Sequence, residues 1–498
     1  MVKQSRIQVR NRVIGICVCV TVGSWHAVNV QAQTAHFKSE SRTSVTATPV
    51  FSRPGAIIPK SFLGISVEYG NIRTFFAKNR LATTARLLKR LGQLQGPPVL
   101  RIGGNSEDRT VWNLPALHPR PAGDTINLTN NMALMLRAAA DQTGGKLILG
   151  VNFGRGTPAM AKPWIRAAIK DIGISHIMAF EIGNEPDIYN HHGTRHHSYN
   201  VRDYFQQWNA FANVVQPLLP PRLLAGPAFC ASWRKYTPEF IKQQHGRLAV
   251  VTMHEYPLGA PIRNRHSPRY PSVTNLLKNS SSAIFAKLIR PSVLLGKRYN
   301  IPVRFAEINS AYAGGKAGVS NVFAASLWSL DTMFEIASSG SAGVNFHTGP
   351  RYGAFWSFQR DGIHVLPLYY GMLMFAQAAP AGSQLIPITF HTKDNIKIWM
   401  TLNRHRMAHI VLINKDLHQN LMVHLKLPNS KGGQLERLLA PSISSQNHID
   451  IGGLTFDGSE NGIPHGHQHI TTVRYQGGEF TVALSHGSAA LLTVQLNQ

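Results

Sequence analysis

Two glutamates sit in segments suited to acid–base chemistry: Glu185 in Phe180-Glu181-Ile182-Gly183-Asn184-Glu185-Pro186, and Glu307 in Phe305-Ala306-Glu307-Ile308-Asn309-Ser310. Cleaving a glycosidic bond takes two carboxyl groups, one protonated to give the leaving oxygen its proton and one ionised to attack the sugar or to activate water. Acids are scarce in this chain, 24 against 51 Lys and Arg. Even so, Glu68, Glu107, Asp108, Glu185, Glu255 and Glu307 all end or directly follow apolar, β-branched runs. Pro186 cannot continue a strand ladder, so Glu185 is expected at a strand end, and alternation points it the same way as Glu181. Asn184 beside it is placed to meet a sugar 2-hydroxyl. Asn184-Glu185-Pro186 alone reads equally well as a turn carrying a solvated acid; a second carboxylate on a partner strand is what turns it into a site.

Other reactive side chains carry less. Cys230 follows the predicted strand Leu223 to Phe229 and reads as a packed core residue. His191, His192, His196 and His197 form one cluster and His465, His467 and His469 another. Neither has Cys, Asp or Glu at ligand spacing, so both read as polar loop residues, and neither a metal nor a cofactor is expected.

The elements that must hold the two glutamates are legible as eight apolar runs: Phe62 to Tyr69, Val99 to Gly104, Leu147 to Phe153, Ala179 to Glu185, Leu223 to Phe229, Ala249 to Tyr256, Val303 to Asn309 and Gly343 to His347. Continuous hydrophobic runs mark strands buried on both faces of a parallel sheet. Helical patterns separate them at Leu81 to Leu91, Met132 to Asp141, Val201 to Leu218, Leu276 to Leu295 and Val322 to Ser338. Eight such units predict an α/β fold, a closed (β/α)8 TIM barrel, whose active site lies at the C-terminal ends of its strands. Glu185 and Glu307 then end strands four and seven, across the barrel from each other.

After the helix Leu368 to Ala378 and the break Ala379-Pro380-Ala381-Gly382, the pattern becomes short alternating strands, from Ile386 to Phe390 through Ala489 to Val494. This predicts a C-terminal antiparallel β-sandwich. The expected division is a signal peptide over 1–32, an N-terminal segment over 33–58 that adds a strand to the sandwich, the catalytic barrel over 59–378 and the sandwich over 379–498.

At the N-terminus, Lys3, Arg6, Arg10 and Arg12 precede the apolar run Val13 to Gly23, and the small-residue site Val30-Gln31-Ala32 follows. That is the layout of a secretory signal cleaved after Ala32, which places the protein in the periplasm or outside the cell; the run is too short to span a bilayer, so no stable membrane anchor is expected. Cys17 and Cys19 lie within it, so the remainder keeps only Cys230 and forms no internal disulfide. Losing those four cations lowers the net charge from +27 to +23. Such a surface favours polyanions, yet Lys and Arg are scattered and no nucleic-acid module appears, so nucleic acid is not the expected partner; an acidic polysaccharide, or solubility in an acidic habitat, explains the charge as well.

The pair Gly183-Asn184-Glu185-Pro186 and Ala306-Glu307, 122 residues apart, resembles the clan of retaining barrel glycosidases. Phe62-Leu63-Gly64-Ile65-Ser66-Val67-Glu68, Leu100-Arg101-Ile102-Gly103-Gly104-Asn105 and Glu307-Ile308-Asn309-Ser310-Ala311-Tyr312 resemble glycoside hydrolase family 79, which holds β-glucuronidases and heparanases. The resemblance implies Glu185 as general acid/base, with a raised pKa, and Glu307 as nucleophile, their carboxyl groups about 5 to 5.5 Å apart. It places Glu68 and Asn105 on ring hydroxyls and Asn184 near the 2-hydroxyl. The glucuronate carboxylate falls to Tyr256, Tyr312 and Tyr352, the last in the loop Gly349-Pro350-Arg351-Tyr352-Gly353. The expected activity is exo-acting β-glucuronidase on glycosides or acidic polysaccharides. Alternatives are a retaining enzyme for a neutral sugar, of β-xylosidase or β-glucosidase type, an endo-acting heparanase-like enzyme, and a polysaccharide-binding protein without turnover.

Overall fold

The computed structural model describes residues 43–116, 124–348, 355–359, 362–428 and 430–497. The expected signal peptide and the loop with Tyr352 lie outside the described residues.

Eight parallel strands close into a barrel: Leu63–Glu68, Val99–Gly103, Lys146–Val151, Ile177–Ile182, Leu224–Phe229, Leu248–Glu255, Val303–Ile308 and Gly343–Thr348. They are barrel strands one to eight, and each predicted run overlaps one, with ends that differ by up to three residues. Asn130–Thr143 buries one face on the barrel, turning Met132, Ala133, Leu136, Ala139 and Ala140 inward at helical spacing, whereas Ala324–Ser338, covered by a second sheet as well, is buried all round. Pro158–Ala167 and Thr237–Gln244 are further helices that the sequence pattern had not indicated.

The bottom of the barrel is closed by a cation that has no carboxylate beside it among the described residues. Arg304, buried on strand seven, donates all five N–H groups: to Asn345 Oδ1 and to the carbonyls of Ser61, Phe62, Ala342 and Val344, at 2.5 to 3.2 Å. Burial pulls its pKa down to about 9. Gly64 makes room for this plug, since a Cβ there would lie 2.3 Å from the Val99 carbonyl and 2.9 Å from Arg304 Nη2.

The second sheet system is mostly antiparallel and spans Gln384 to Leu496, around a core of its own that includes Met400, Ile410, Leu412, Val423, Val482 and Leu492. Thr43–Pro49 enters it parallel to Leu421–Leu425 and antiparallel to Ile388–Phe390. Ser430–Leu439, absent from the sequence-based reading, pairs with both Thr471–Gln476 and Ser488–Leu496. The sheet packs on the barrel helix Ala324–Ser338 through polar and aromatic contacts. Asp331 accepts from Lys415 at 2.6 Å and from Trp399 Nε1 at 3.0 Å, and the Trp399 ring stacks on Phe334 at 5.5 Å. A buried carboxylate is tolerable only with partners of this kind.

Candidate active site

Strand four ends at Ile182, three residues before Glu185, and the chain then breaks out of the extended form: Gly183 has φ 86° and Glu185 φ 51°. Simple alternation through Glu185 therefore does not hold. Glu181 points into the barrel, where Arg101 Nε meets it at 2.6 Å, while Glu185 reaches the cavity above. Glu307 lies within strand seven, where pairing with both neighbouring strands slips by a residue after Phe305. An irregularity of this kind re-aims a side chain, as at other active-site bulges. The result brings an oxygen of Glu185 and an oxygen of Glu307 within 4.8 Å of each other.

The surroundings set the two carboxyl groups in opposite states. Burial, then the Glu307 charge, then Asp187 push Glu185 well above the ordinary carboxylate range. Burial would raise Glu307 too, but the positive charges of His347 and Arg101 and the Tyr256 hydroxyl outweigh it and hold Glu307 well below that range. The contacts are direct: Arg101 Nη1 lies 2.5 Å from Glu307 Oε2, Tyr256 donates its hydroxyl to Oε1 at 2.7 Å, and His347 Nδ1 is 3.6 Å away. His347 is itself raised, because Glu307 and Glu68 overcome the effect of burial. His254, with Nδ1 3.1 Å from Glu185 Oε1, is pulled down to about 4 by burial and Arg101, so it is a neutral imidazole at pH 7. Two carboxyl groups driven apart in this way are an acid and a nucleophile or base.

Of the six carboxylates singled out from sequence, Glu68, Glu185 and Glu307 line the main cavity, which has a volume of about 820 Å³. Glu107 is buried against Gly150 beneath the site and pushed up by burial and Glu181; Asp108 accepts from the Gly154 amide; Glu255 pairs with Arg234. Asn105, Tyr256 and Tyr312 also line the cavity. Glu68 accepts from the amides of Asn105 and Ser106 and from the Ser106 hydroxyl. Asn184 lies behind Asn105: its Oδ1 accepts from Arg101 at 2.8 Å and its Nδ2 donates to Asn105 Oδ1 at 3.1 Å. Tyr256, expected on the sugar carboxylate, has its hydroxyl on Glu307 instead.

Arg101, His254, His347 and Arg269 went unnoticed in the sequence. Cys230 differs from its reading as a core residue: it is partly exposed in the cavity wall, its thiol 3.6 Å from Asp187 Oδ1. A signal was present for the first two. Arg101 and His254 interrupt apolar parallel strands, and a charged or polar residue in such a strand must be paired with something. Among the described residues, Glu185, His254 and Glu307 form the one group whose ligand atoms cluster as around a metal ion. Arg101 and His347 already supply positive charge at Glu307, where a cation would have to compete with them.

Residues 399–491 match the glycosyl hydrolase family 79 C-terminal beta domain. A β-glucuronidase of Aspergillus niger is 23% identical over 93% of this chain and 96% of its own length. One of Neurospora crassa is 24% identical over 64% of this chain and 63% of its own. Among solved structures, a 4-O-α-L-rhamnosyl-β-D-glucuronidase from Fusarium oxysporum superposes with a TM-score of 0.74 at 21% identity, covering 91% of this chain and 99% of that one. A family 51 arabinofuranosidase from Xanthomonas axonopodis pv. citri shares the fold at a TM-score of 0.66 and 14% identity, over 91% of this chain and all of that one.

Proposed function

We propose that this chain, a member of glycoside hydrolase family 79, is a retaining, exo-acting β-glucuronidase that uses Glu307 as nucleophile and Glu185 as general acid/base. The observation that carries the reading is the pair itself: an ionised Glu307 and a protonated Glu185 with an oxygen of each within 4.8 Å, a close approach that suits the carboxyl separation of about 5 to 5.5 Å of a retaining enzyme.

Glu307 attacks the anomeric carbon while Glu185 gives its proton to the departing oxygen. Esterification removes the Glu307 charge, one of the two that hold the Glu185 proton most strongly after burial. Glu185 then releases the proton more readily and serves as base toward the incoming water. Arg101 and Tyr256 hold the nucleophile in place through one oxygen each. Glu68 and Asn105 meet the ring hydroxyls, Asn184 backs Asn105 from behind, and Tyr312 with Tyr352 takes the carboxylate. His191 and His192, in the loop after strand four, line the cavity and close it toward a pocket suited to a terminal sugar.

The same reading assigns 59–378 to catalysis, the sandwich over 379–498 with the strand Thr43–Pro49 to its support, and residues 1–32 to export. Among the described residues no helix is long and apolar enough to cross a membrane. N-terminal sequencing of the native protein is expected to begin near Gln33, and Met1 or Val2 at that end would refute export. A panel of p-nitrophenyl β-glucuronide, β-glucoside, β-xyloside and α-arabinofuranoside tests the activity. The glucuronide should lead by at least tenfold in kcat/KM, and a lead for any neutral sugar would overturn the substrate assignment.

A further inference from the structure

We propose that Arg269 is a specificity-determining residue that supplies a cationic partner for the sugar carboxylate beside Tyr312. The inference rests on the β-glucuronidase reading above and adds to it a charge that the tyrosines do not provide.

Among the described residues lining the main cavity, Arg269 is the sole Arg or Lys. It comes from the loop after strand six, and its guanidinium carbon lies 5.6 Å from the centre of the Tyr312 ring. Tyr312 is fixed by its surroundings. Ala311–Tyr312 pairs in parallel with Leu258–Gly259, and the ring packs so closely over Gly259 that a Cβ there would sit 2.3 Å from it. Arg269 is anchored on the same loop: Nη2 donates to the Tyr256 carbonyl at 2.8 Å, and the Arg269 carbonyl accepts from the Gly259 amide at 3.0 Å. One loop therefore sets both the position of the guanidinium and the surface on which Tyr312 rests.

The charge of Arg269 is only partly met elsewhere. Its nearest carboxylate, Glu255, is in close contact with Arg234 and also accepts from the Tyr256 amide at 2.9 Å, whereas Arg269 Nη2 stays 3.9 Å from it. Two arginines share one carboxylate, which leaves an excess positive charge on the cavity side. His347, also in the wall, is occupied by Glu68 and Glu307 at 3.5 and 3.6 Å. Arg269 is 49% exposed at its side chain, so it meets a ligand without first breaking a buried ion pair. A planar guanidinium fork matches a carboxylate geometrically, which an ammonium does not. A neutral sugar carries no group at C6 that needs this charge, so the residue discriminates rather than merely binds.

The test compares kcat and KM for p-nitrophenyl β-glucuronide and β-glucoside in the wild-type protein, Arg269→Gln and Arg269→Lys. The glucuronide should lose at least tenfold more kcat/KM than the glucoside in Arg269→Gln, mainly through KM, and Arg269→Lys should recover part of the loss because it restores charge without the fork. A role limited to supporting the loop through the Tyr256 carbonyl would lower both substrates alike. Equal losses, or an unchanged glucuronide preference, in a wild-type enzyme that prefers the glucuronide would overturn this inference alone. A wild type that prefers the glucoside would overturn the β-glucuronidase reading and this inference with it.

Discussion

The Tyr256 hydroxyl donates to Oε1 of Glu307 at 2.7 Å, on the oxygen opposite the one held by Arg101. The tyrosine thus orients the nucleophile and stabilises its charge whatever sugar is bound. A hydrogen bond to a charged group is worth about 1.5 to 3 kcal/mol. Tyr256→Phe should therefore lower kcat/KM by roughly 10- to 150-fold for glucuronide and glucoside to a similar degree. A loss confined to the glucuronide would return Tyr256 to the carboxylate subsite.

Tyr312→Phe should behave in the opposite way. Tyr312 lines the cavity five residues beyond Glu307 and faces Arg269. Removing its hydroxyl should cost the glucuronide roughly 10- to 150-fold more than the glucoside, the value of one charge-assisted hydrogen bond. Steady-state kinetics on the two aryl glycosides decides it, and parallel losses would mean that Tyr312 serves the nucleophile.

The pH profile should report His347. The glycosylation step needs Glu307 ionised and Glu185 protonated, so kcat/KM falls below the pKa of the first and above the pKa of the second. After burial, which raises it, the largest influence on Glu307 is the positive charge of His347, which lowers it. His347→Gln removes that charge, the Glu307 pKa rises, and the acid limb of the profile should move to higher pH. An acid limb that stays in place would show that Arg101 and Tyr256 hold Glu307 down without His347.

Stability should depend on Arg304 at the other end of the barrel. Arg304→Met would take the donor from Asn345 Oδ1 and from the carbonyls of Ser61, Ala342 and Val344, while the Phe62 carbonyl keeps the Val344 amide. Orphaned buried acceptors cost about 1 to 3 kcal/mol each before relaxation or water entry, so a net loss of about 3 kcal/mol or more is expected in denaturant unfolding. A change below about 0.5 kcal/mol would mean that water replaces the guanidinium freely.

The parts of this protein that could be read from its sequence are those in which burial writes a pattern. Leu147-Ile148-Leu149-Gly150-Val151 can hardly be anything but a strand covered on both faces, and seven similar runs fix the barrel. Ser430–Leu439 begins Ser-Lys-Gly-Gly-Gln and has no clean alternation, so a ten-residue strand held between two neighbours stayed hidden. Glu185 and Glu307 stood out as acids in an acid-poor chain, but what tunes them did not. Arg101, His254 and His347 come from strands two, six and eight, and only barrel closure brings them to one place. Arg269 sits in a polar loop, where an arginine carries no signal until Tyr312 is found beneath it.

The most direct test of the central claim is to trap the covalent intermediate. A 2-deoxy-2-fluoro-β-glucuronyl fluoride slows turnover of the glycosyl ester by destabilising positive charge at the anomeric carbon, so the ester accumulates and can be located by peptide mass spectrometry. The account predicts one 2-fluoroglucuronyl group on the peptide that contains Glu307, with loss of activity in step with labelling and no label in Glu307→Gln. A label on Glu185, or on a peptide containing neither glutamate, would contradict it.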